Sequence, residues 1–361
     1  FHFSTRLSYM DEMITALGDE LIIRSDKIKG KTINSLYFGG GTPSLLNEEG
    51  FIKIKKTISK YYQLSDGLEF TLEINPEDVN ENNVRFWNKM GVSRYSVGVQ
   101  SFYDDELKCM NRKHSAKQSI RSVKLLQGMG NKNISIDLIY GIPGSDIESW
   151  IKNLDSAIIL NVPHISVYQL TVEPDTVLDR NIKKGISHMP DEEIIVNQFY
   201  KLVDTMECYG YEHYEISSFS KPGFRSKHNT SYWTGADYFG FGPSAHSYFK
   251  NASGEECRMW NISDNQAYIR SIKENKMPCE KETLKQNDKF NEYIMTGLRT
   301  WKGCDLSFIK ENYGSSAFDY ITKAGLVHFE NKKIFEDKGH WHLTNKGKLF
   351  ADQVIADLFI I

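Results

Sequence analysis

The sequence predicts an α/β fold, a partial (βα)6 TIM-like barrel followed by a C-terminal winged-helix-like α+β domain, and three observations carry this reading. From residue 34 to about 219, short β-rich runs alternate with longer segments of helical period, the order of βα units on a parallel sheet. The cores of those β-rich runs are apolar, as buried parallel strands are. After about residue 285 the order becomes helix, helix, hairpin, helix, which suits a small winged-helix-like unit.

The expected strands are Ser35–Gly39, Glu69–Asn75, Arg94–Gln100, Ile134–Gly141, His164–Val172 and Tyr211–Phe219. Between them, helices are expected near 47–63, 80–90, 115–129, 146–160 and 190–209, each flanked by Asn, Asp, Ser or Gly suited to caps and turns. Six such units make an open barrel, because a complete eight-unit barrel needs more chain than this stretch provides. The expected division is 1–235 for the barrel, 236–284 for a connecting segment and 285–361 for the C-terminal domain. In the last of these, helices are expected around 286–300 and 305–324, then a hairpin of Gly325–Phe329 with His340–Thr344, and a final helix from 345.

Composition bounds the partners. The 361 residues are 40% hydrophobic and 25% charged with a formal net charge of -3, the balance of a globular protein with no bulk bias toward nucleic acid or anionic lipid. Winged-helix domains often bind DNA, yet residues 281–361 hold 12 Lys/Arg against 11 Asp/Glu, so the basic footprint of a phosphate binder is missing. No apolar run approaches the roughly 18–20 residues of a membrane span, and the N-terminus lacks the order of a secretion signal, so no integral membrane segment and a cytoplasmic address are expected. Five cysteines, Cys109, Cys208, Cys257, Cys279 and Cys304, stand far apart with no CxxC among them, which argues against a disulfide framework or a zinc ribbon.

The chemistry-bearing motif is Gly39-Gly40-Gly41-Thr42-Pro43-Ser44, at the C-terminal end of its strand, where α/β folds place ligands. Three residues without Cβ let backbone groups approach a polar ligand closely. Alone, such a run is read first as a tight strand-to-helix turn, and no Gly-Lys-Ser/Thr follows to make it a phosphate loop. Other strand ends are polar too: Glu73 with Asn75, Gln100 with Ser101, Asp137, and Gln169 with Thr171. Polar side chains within apolar strands are costly unless paired or aimed into a site, and several together point to a pocket at the barrel mouth.

Leu36-Tyr37-Phe38 leading into the glycines, Glu73-Ile74-Asn75-Pro76, Ser96 to Phe102, Asn111-Arg112, Ile136 to Pro143, Tyr168-Gln169-Leu170 and His228-Asn229-Thr230-Ser231-Tyr232-Trp233 closely resemble the HemW heme chaperones and the related oxygen-independent coproporphyrinogen dehydrogenases. These are radical-SAM proteins. The likeness covers nearly the whole chain and is weakest in the last 120 residues. It implies that Gly40, Gly41 and Thr42 hold the methionyl amino end of S-adenosylmethionine. It implies further that Glu73, Gln100, Arg112 and Asp137 hold its amino acid, ribose and nearby polar groups, with Thr171 a backbone contact near the adenine. A cationic sulfonium with a ribose diol and an amino acid wants carboxylates, an amide and one Arg, and that is the set present.

The resembled proteins also bind a [4Fe-4S] cluster through CxxxCxxC after their first strand, and this sequence holds no such motif. The resemblance places that loop, and the first strand, ahead of Phe1, and the remaining cysteines have the wrong spacing to replace it. Phe1 itself matches the C-x-F of the HemW type. The HNxxYW pattern at His228, Tyr232 and Trp233 matches that type's heme-binding motif, with His228 as the iron ligand, and His246 is a second candidate ligand. What the resemblance implies is a chaperone that passes heme to apoproteins of respiration, with monomer and homodimer both open. Two alternatives stand beside it: oxidative decarboxylation of coproporphyrinogen III by a 5'-deoxyadenosyl radical, and a protein without catalysis whose C-terminal domain docks a partner.

Overall fold

The computed structural model describes residues 9–361, so the expectations placed on Phe1 and on the chain ahead of it lie outside the described residues. Five parallel strands, β1 (Thr32–Phe38), β2 (Gln63–Ile74), β3 (Arg94–Gln100), β4 (Ile134–Tyr140) and β5 (His164–Gln169), lie side by side in chain order. An antiparallel hairpin, β6 (Glu212–Glu215) and β7 (Ser218–Ser220), completes this seven-stranded sheet, with β7 against β5. The last unit therefore departs from the expected parallel strand over 211–219. Ile216 and Ser217 turn the chain back, and two short strands replace one long one.

Helices α1 (Met10–Ile28), α2 (Glu48–Tyr61), α3 (Glu81–Lys89), α4 (Asp104–Cys109), α5 (Ala116–Gly128), α6 (Ile147–Leu160), α7 (Val177–Lys183), α8 (Glu192–Cys208) and α9 (Lys227–Trp233) occur in this part of the chain. Their starts obey local chemistry. Asn47 accepts the Gly50 N–H ahead of α2, and Ser115 with Gln118 and Asp146 with Ser149 form capping boxes for α5 and α6.

Period-two alternation divides the sheet into two unlike faces. One face carries Phe70, Leu72 and Ile74 of β2, Tyr95, Val97 and Val99 of β3 and Ile134, Ile136 and Leu138 of β4, buried against Trp87, Leu126, Trp150 and Phe199 of the helices. Each such side chain contributes about 1.5–3 kcal/mol when fully buried. The other face carries Glu69, Thr71 and Glu73, then Arg94 and Ser96, Ser135 and Asp137, and His164 and Ser166. Closed barrels of this kind fill that space with Val, Ile and Leu. Here the lumen is polar, and a void of about 60 Å³ remains in it.

Helix α1 stands outside the alternation read from sequence, and its mostly apolar buried face includes two charged residues. Glu20 and Arg24, both fully buried, form an ion pair at 2.8 Å. Arg24 also donates to the Gly240 carbonyl and to Ser247 Oγ, while Glu20 accepts from Gly242 N–H, Asn261 and Tyr268. These partners belong to the segment expected as a connector. Residues 236–284 instead hold a three-stranded antiparallel sheet, β8 (His246–Lys250), β9 (Glu256–Asn261) and β10 (Cys279–Thr283), with α10 (Asn265–Lys273) packed on α1.

The C-terminal part has its own apolar core, centred on Phe290, Ile294, Ile309, Ile321 and Trp341. It comprises α11 (Gln286–Leu298), β11 (Cys304–Asp305), α12 (Leu306–Glu330), β12 (Ile334–Asp337), β13 (His340–Leu343), α13 (Asn345–Leu349) and α14 (Ala351–Asp357). The expected strand at 325–329 is helical, and the hairpin is β12 with β13. Two glycines explain the difference. Gly325 lies inside α12, where a Cβ would come within 2.4 Å of the Trp341 ring, so it serves packing. The break falls at Gly314, with φ 85°. None of the described helices is long and apolar enough to cross a membrane.

Candidate functional site

The glycine loop follows β1 directly and is shaped by what lies beneath it. A Cβ on Gly39 would fall 2.4 Å from the Tyr37 ring and 2.7 Å from the Glu73 carboxyl carbon, so the first glycine lets these two side chains close over the backbone. Tyr37 donates to Glu73 Oε1 at 2.6 Å, and Gly40 N–H donates to Oε2 at 3.1 Å. At Gly40 (φ 78°) and Gly41 a Cβ would meet nothing within 4 Å, so the backbone there faces open space. Thr42 precedes a single 3-10 turn, Pro43–Leu45, whose Ser44 hydroxyl donates to Asp78 at 2.6 Å and ties the loop to the end of β2.

Asp137, on β4 two strands from Glu73, receives Ser96 Oγ at 3.3 Å. Burial pushes its carboxyl up to about 7, the Glu73 charge adds to this, and Ser166, Ser96 and Arg94 oppose it. Burial raises Glu73 as well, against the hydrogen bonds from Tyr37 and Gly40. Two carboxyls in mutual electrostatic reach are therefore both held above the ordinary acid range, a state that a cationic ligand relieves. The Thr71 hydroxyl, fully buried beside them on the void, has no hydrogen-bond partner.

Gln100 ends β3 in a left-handed conformation, φ 67°, rare for a residue with a side chain. Its amide lies against Gly98, where a Cβ would be 3.0 Å from Nε2. Next to it, Ser101 donates to Glu106, and Phe102 N–H donates to Asn153 at 2.6 Å, which fixes the turn. Arg112 is exposed, its backbone N–H donates to the Leu107 carbonyl at 2.8 Å, and its guanidinium makes no direct hydrogen bond or ion pair with a described residue but lies within electrostatic reach of Glu77 and Asp137. His114 holds that segment in place, with Nδ1 3.1 Å from Glu77 and Nε2 3.1 Å from the Val99 carbonyl. Thr171 follows β5 on exposed chain, and no hydrogen bond joins it to the others.

Helix α9 closes the lumen from the side of β1. Glu69 accepts the N–H groups of Lys227 at 3.1 Å and His228 at 3.0 Å, so a carboxylate on β2 caps the helix. Ser226 and Asn229 line the same void as Glu73 and Asp137. The His228 ring stacks on Tyr37, centroids 4.6 Å apart at 21°. Its Nδ1 lies 3.0 Å from Ser35 Oγ and its Nε2 2.9 Å from the Tyr232 hydroxyl. Burial lowers His228 to about 4, so the imidazole is neutral near pH 7, the form that can ligate a metal. Trp233, one position further round the helix, keeps a buried indole N–H without a partner. His246 lies elsewhere, exposed at the start of β8 and stacked on Trp260.

The structure thus brings Gly40, Glu73, Asp137 and Arg112 to one mouth and sets His228 and Tyr232 beside them through Tyr37. Sequence reasoning did not single out Tyr37, Thr71, Arg94, Ser96, Ser135 or Ser166 as site residues, and alternation gave only a partial signal for them. On β2 and β3 every second residue is polar or glycine toward one face, and β4 adds Ser135 and Asp137.

A curled parallel sheet with open glycines and carboxylates at its strand ends defines a radical-SAM type of protein. Residues 14–157 match the Radical SAM superfamily. The fold superposes on a solved structure described as "Coproporphyrinogen III oxidase (HemN) from Escherichia coli is a Radical SAM enzyme", with TM-score 0.86 and 20% identity over 99% of this chain and 84% of that one. Two relatives, each named heme chaperone HemW, come closer in sequence. That of Bacillus subtilis (strain 168) is 32% identical across 96% of this chain and 91% of its own, and that of Haemophilus influenzae 30% across 98% and 89%. The chain belongs to the HemW heme chaperone family.

That family implies S-adenosylmethionine and a [4Fe-4S] cluster. The mouth residues fit the first: open glycine backbone, two carboxyls that gain from a cation, an amide and a guanidinium without a direct partner. The described residues do not fit the second. Their five cysteines are unbridged and fall on α4, α8, β9, β10 and β11, and no group of three His, Cys, Asp or Glu among the described residues could hold a metal ion.

Proposed function

We propose that this protein is a cytoplasmic heme chaperone that binds heme through His228 and passes it to acceptor apoproteins, with S-adenosylmethionine held at the neighbouring barrel mouth. The observation that supports this reading most is the placement of His228. It is neutral, sits on a helix seated on the barrel strands, and has an aromatic face and an exposed tyrosine beside it. A flat, apolar porphyrin with one open iron coordination position matches such a site. Tyr232 and Trp233 would flank it. Gly40, Gly41, Thr42, Glu73, Gln100, Arg112 and Asp137 would hold S-adenosylmethionine, Glu73 and Asp137 facing its positive charge and Arg112 its carboxylate, with Thr171 near its adenine.

The enzymatic alternative, decarboxylation of coproporphyrinogen III, would bring a tetrapyrrole to this lumen. The void beneath α9, about 60 Å³, is too small to enclose a tetrapyrrole, so on either reading a tetrapyrrole would lie outside it.

Heme titration tests the reading. A Soret band that saturates at one heme per chain, and that loses roughly tenfold or more in affinity in His228→Ala, is the expected result. A band unchanged by His228→Ala removes His228 from the site. Conversion of coproporphyrinogen III to protoporphyrinogen IX by a form of the chain that also carries a CxxxCxxC loop and its cluster would establish the enzyme instead.

A further inference from the structure

We propose that Tyr37 is a positioning residue that couples the ligand state of Glu73 to His228, so that the S-adenosylmethionine mouth and the heme-ligating imidazole act on one another. The proposal deepens the reading of His228 given above and rests on it for its heme arm only.

Tyr37 touches both groups. Its hydroxyl donates to Glu73 Oε1 at 2.6 Å, and its ring lies flat on His228 with centroids 4.6 Å apart. Gly39 shows that this geometry is built into the loop, since any Cβ there would press on both Tyr37 and Glu73. On the far side, the imidazole is engaged at every edge: Ser35 at Nδ1, Tyr232 at Nε2 and Tyr37 on its face. Iron can reach Nε2 only when the Tyr232 hydroxyl leaves, and the ring's freedom to turn toward or away from that hydroxyl depends on the stack with Tyr37.

A cationic ligand group arriving at Glu73 competes for the oxygen that Tyr37 occupies. Release of Tyr37 from Glu73 frees its ring to shift and loosens the stack on His228. Linkage makes the effect reciprocal: whatever occupancy of Glu73 does to His228, iron at His228 does to ligands at Glu73. The two-state element is the Tyr37 hydroxyl, on or off Glu73.

The test is a double-mutant cycle on the full chain with two readouts. The first needs no ligand: the ring ¹⁵N signals of His228 are recorded in wild type, Glu73→Ala, Tyr37→Phe and the double variant. Glu73→Ala is expected to move these signals in the wild-type background and to leave them nearly unmoved in the Tyr37→Phe background, where the ring is kept and the hydroxyl lost. Equal movement in both backgrounds, or none in either, overturns the proposal. Gly39→Ala, which displaces the pair without removing either member, should move the same signals and guards against a folding artefact of Glu73→Ala. The second readout is heme affinity from the Soret band, where Glu73→Ala should change affinity on the order of fivefold in the wild-type background and less than about twofold with Tyr37→Phe. Coupled ring signals with no Soret band would overturn the heme reading and leave the Tyr37 link supported.

Discussion

Glu69 and His228 are joined across 159 residues of chain by a hydrogen bond from the His228 backbone N–H to Glu69 Oε1, 3.0 Å long. With Lys227 N–H on the other oxygen at 3.1 Å, this carboxylate satisfies the free donors at the start of α9 and sets the imidazole over β1. Glu69→Ala is expected to cost about 1–2 kcal/mol in urea unfolding and to weaken heme binding without touching His228. Full heme affinity in this variant would show that α9 is held by other contacts.

Asp137 makes the stability of the mouth depend on pH in a defined direction. Its folded-state value of about 7 lies above the ordinary aspartate value near 3.9, so between these limits the folded chain keeps a proton that the unfolded chain has released. The stability that Asp137 contributes is therefore complete below about pH 4 and is lost as pH rises through about 7. The difference in unfolding free energy between wild type and Asp137→Asn should decline across that window and level off above it. S-adenosylmethionine, which favours the ionised carboxyl, should bind more tightly to wild type above pH 7 than at pH 5. A flat difference between the two proteins from pH 4 to 8 would contradict this.

The left-handed backbone at Gln100 is retained although a residue with Cβ is disfavoured there by about 1–2 kcal/mol. Gln100→Gly should leave stability within about 1 kcal/mol of wild type, because relief of strain offsets the added chain entropy. Binding of S-adenosylmethionine should fall in calorimetric titration. If binding persists, the amide is packing against Gly98 rather than serving a ligand.

Removing one member of the Glu20–Arg24 pair leaves the other charge buried. Glu20→Ala should cost about 3–5 kcal/mol, far more than Glu81→Ala at the exposed Arg85–Glu81 pair of α3, where both side chains are more than half exposed. Comparative thermal melting of the two variants tests the contrast.

What was legible in the sequence follows from which interactions are local. The runs that became β1 to β5 could be read because alternation and apolar cores are properties of neighbouring residues, and the caps at Ser115 and Asp146 lie within four positions of what they cap. Gly325 misled because a glycine reads as a break, whereas here it makes room for Trp341, a residue sixteen positions on. The polar lumen was half legible. Glu73, Gln100 and Asp137 stood out at strand ends, while Thr71, Arg94 and Ser135 look like ordinary strand residues until neighbouring strands place them on one void. The stack of Tyr37 on His228 had no local signal, since 191 residues separate them. The resemblance named both motifs, and only the fold put them side by side.

The Glu20–Arg24 pair also bears on the order in which the chain can reach its native state. Its covering groups, at Gly240, Gly242, Ser247, Asn261 and Tyr268, are made more than 200 residues after α1. During synthesis, α1 must wait with this pair uncovered while β1 to β5 assemble beside it. An N-terminal fragment ending near residue 235 would leave the pair and the apolar patch that α10 covers, around Met13, Ala16 and Ile23, bare, and it should recruit chaperones or aggregate. The buried pair of the first described helix is thus covered among the last contacts to form, and the segment around β8 and β9 is what covers it.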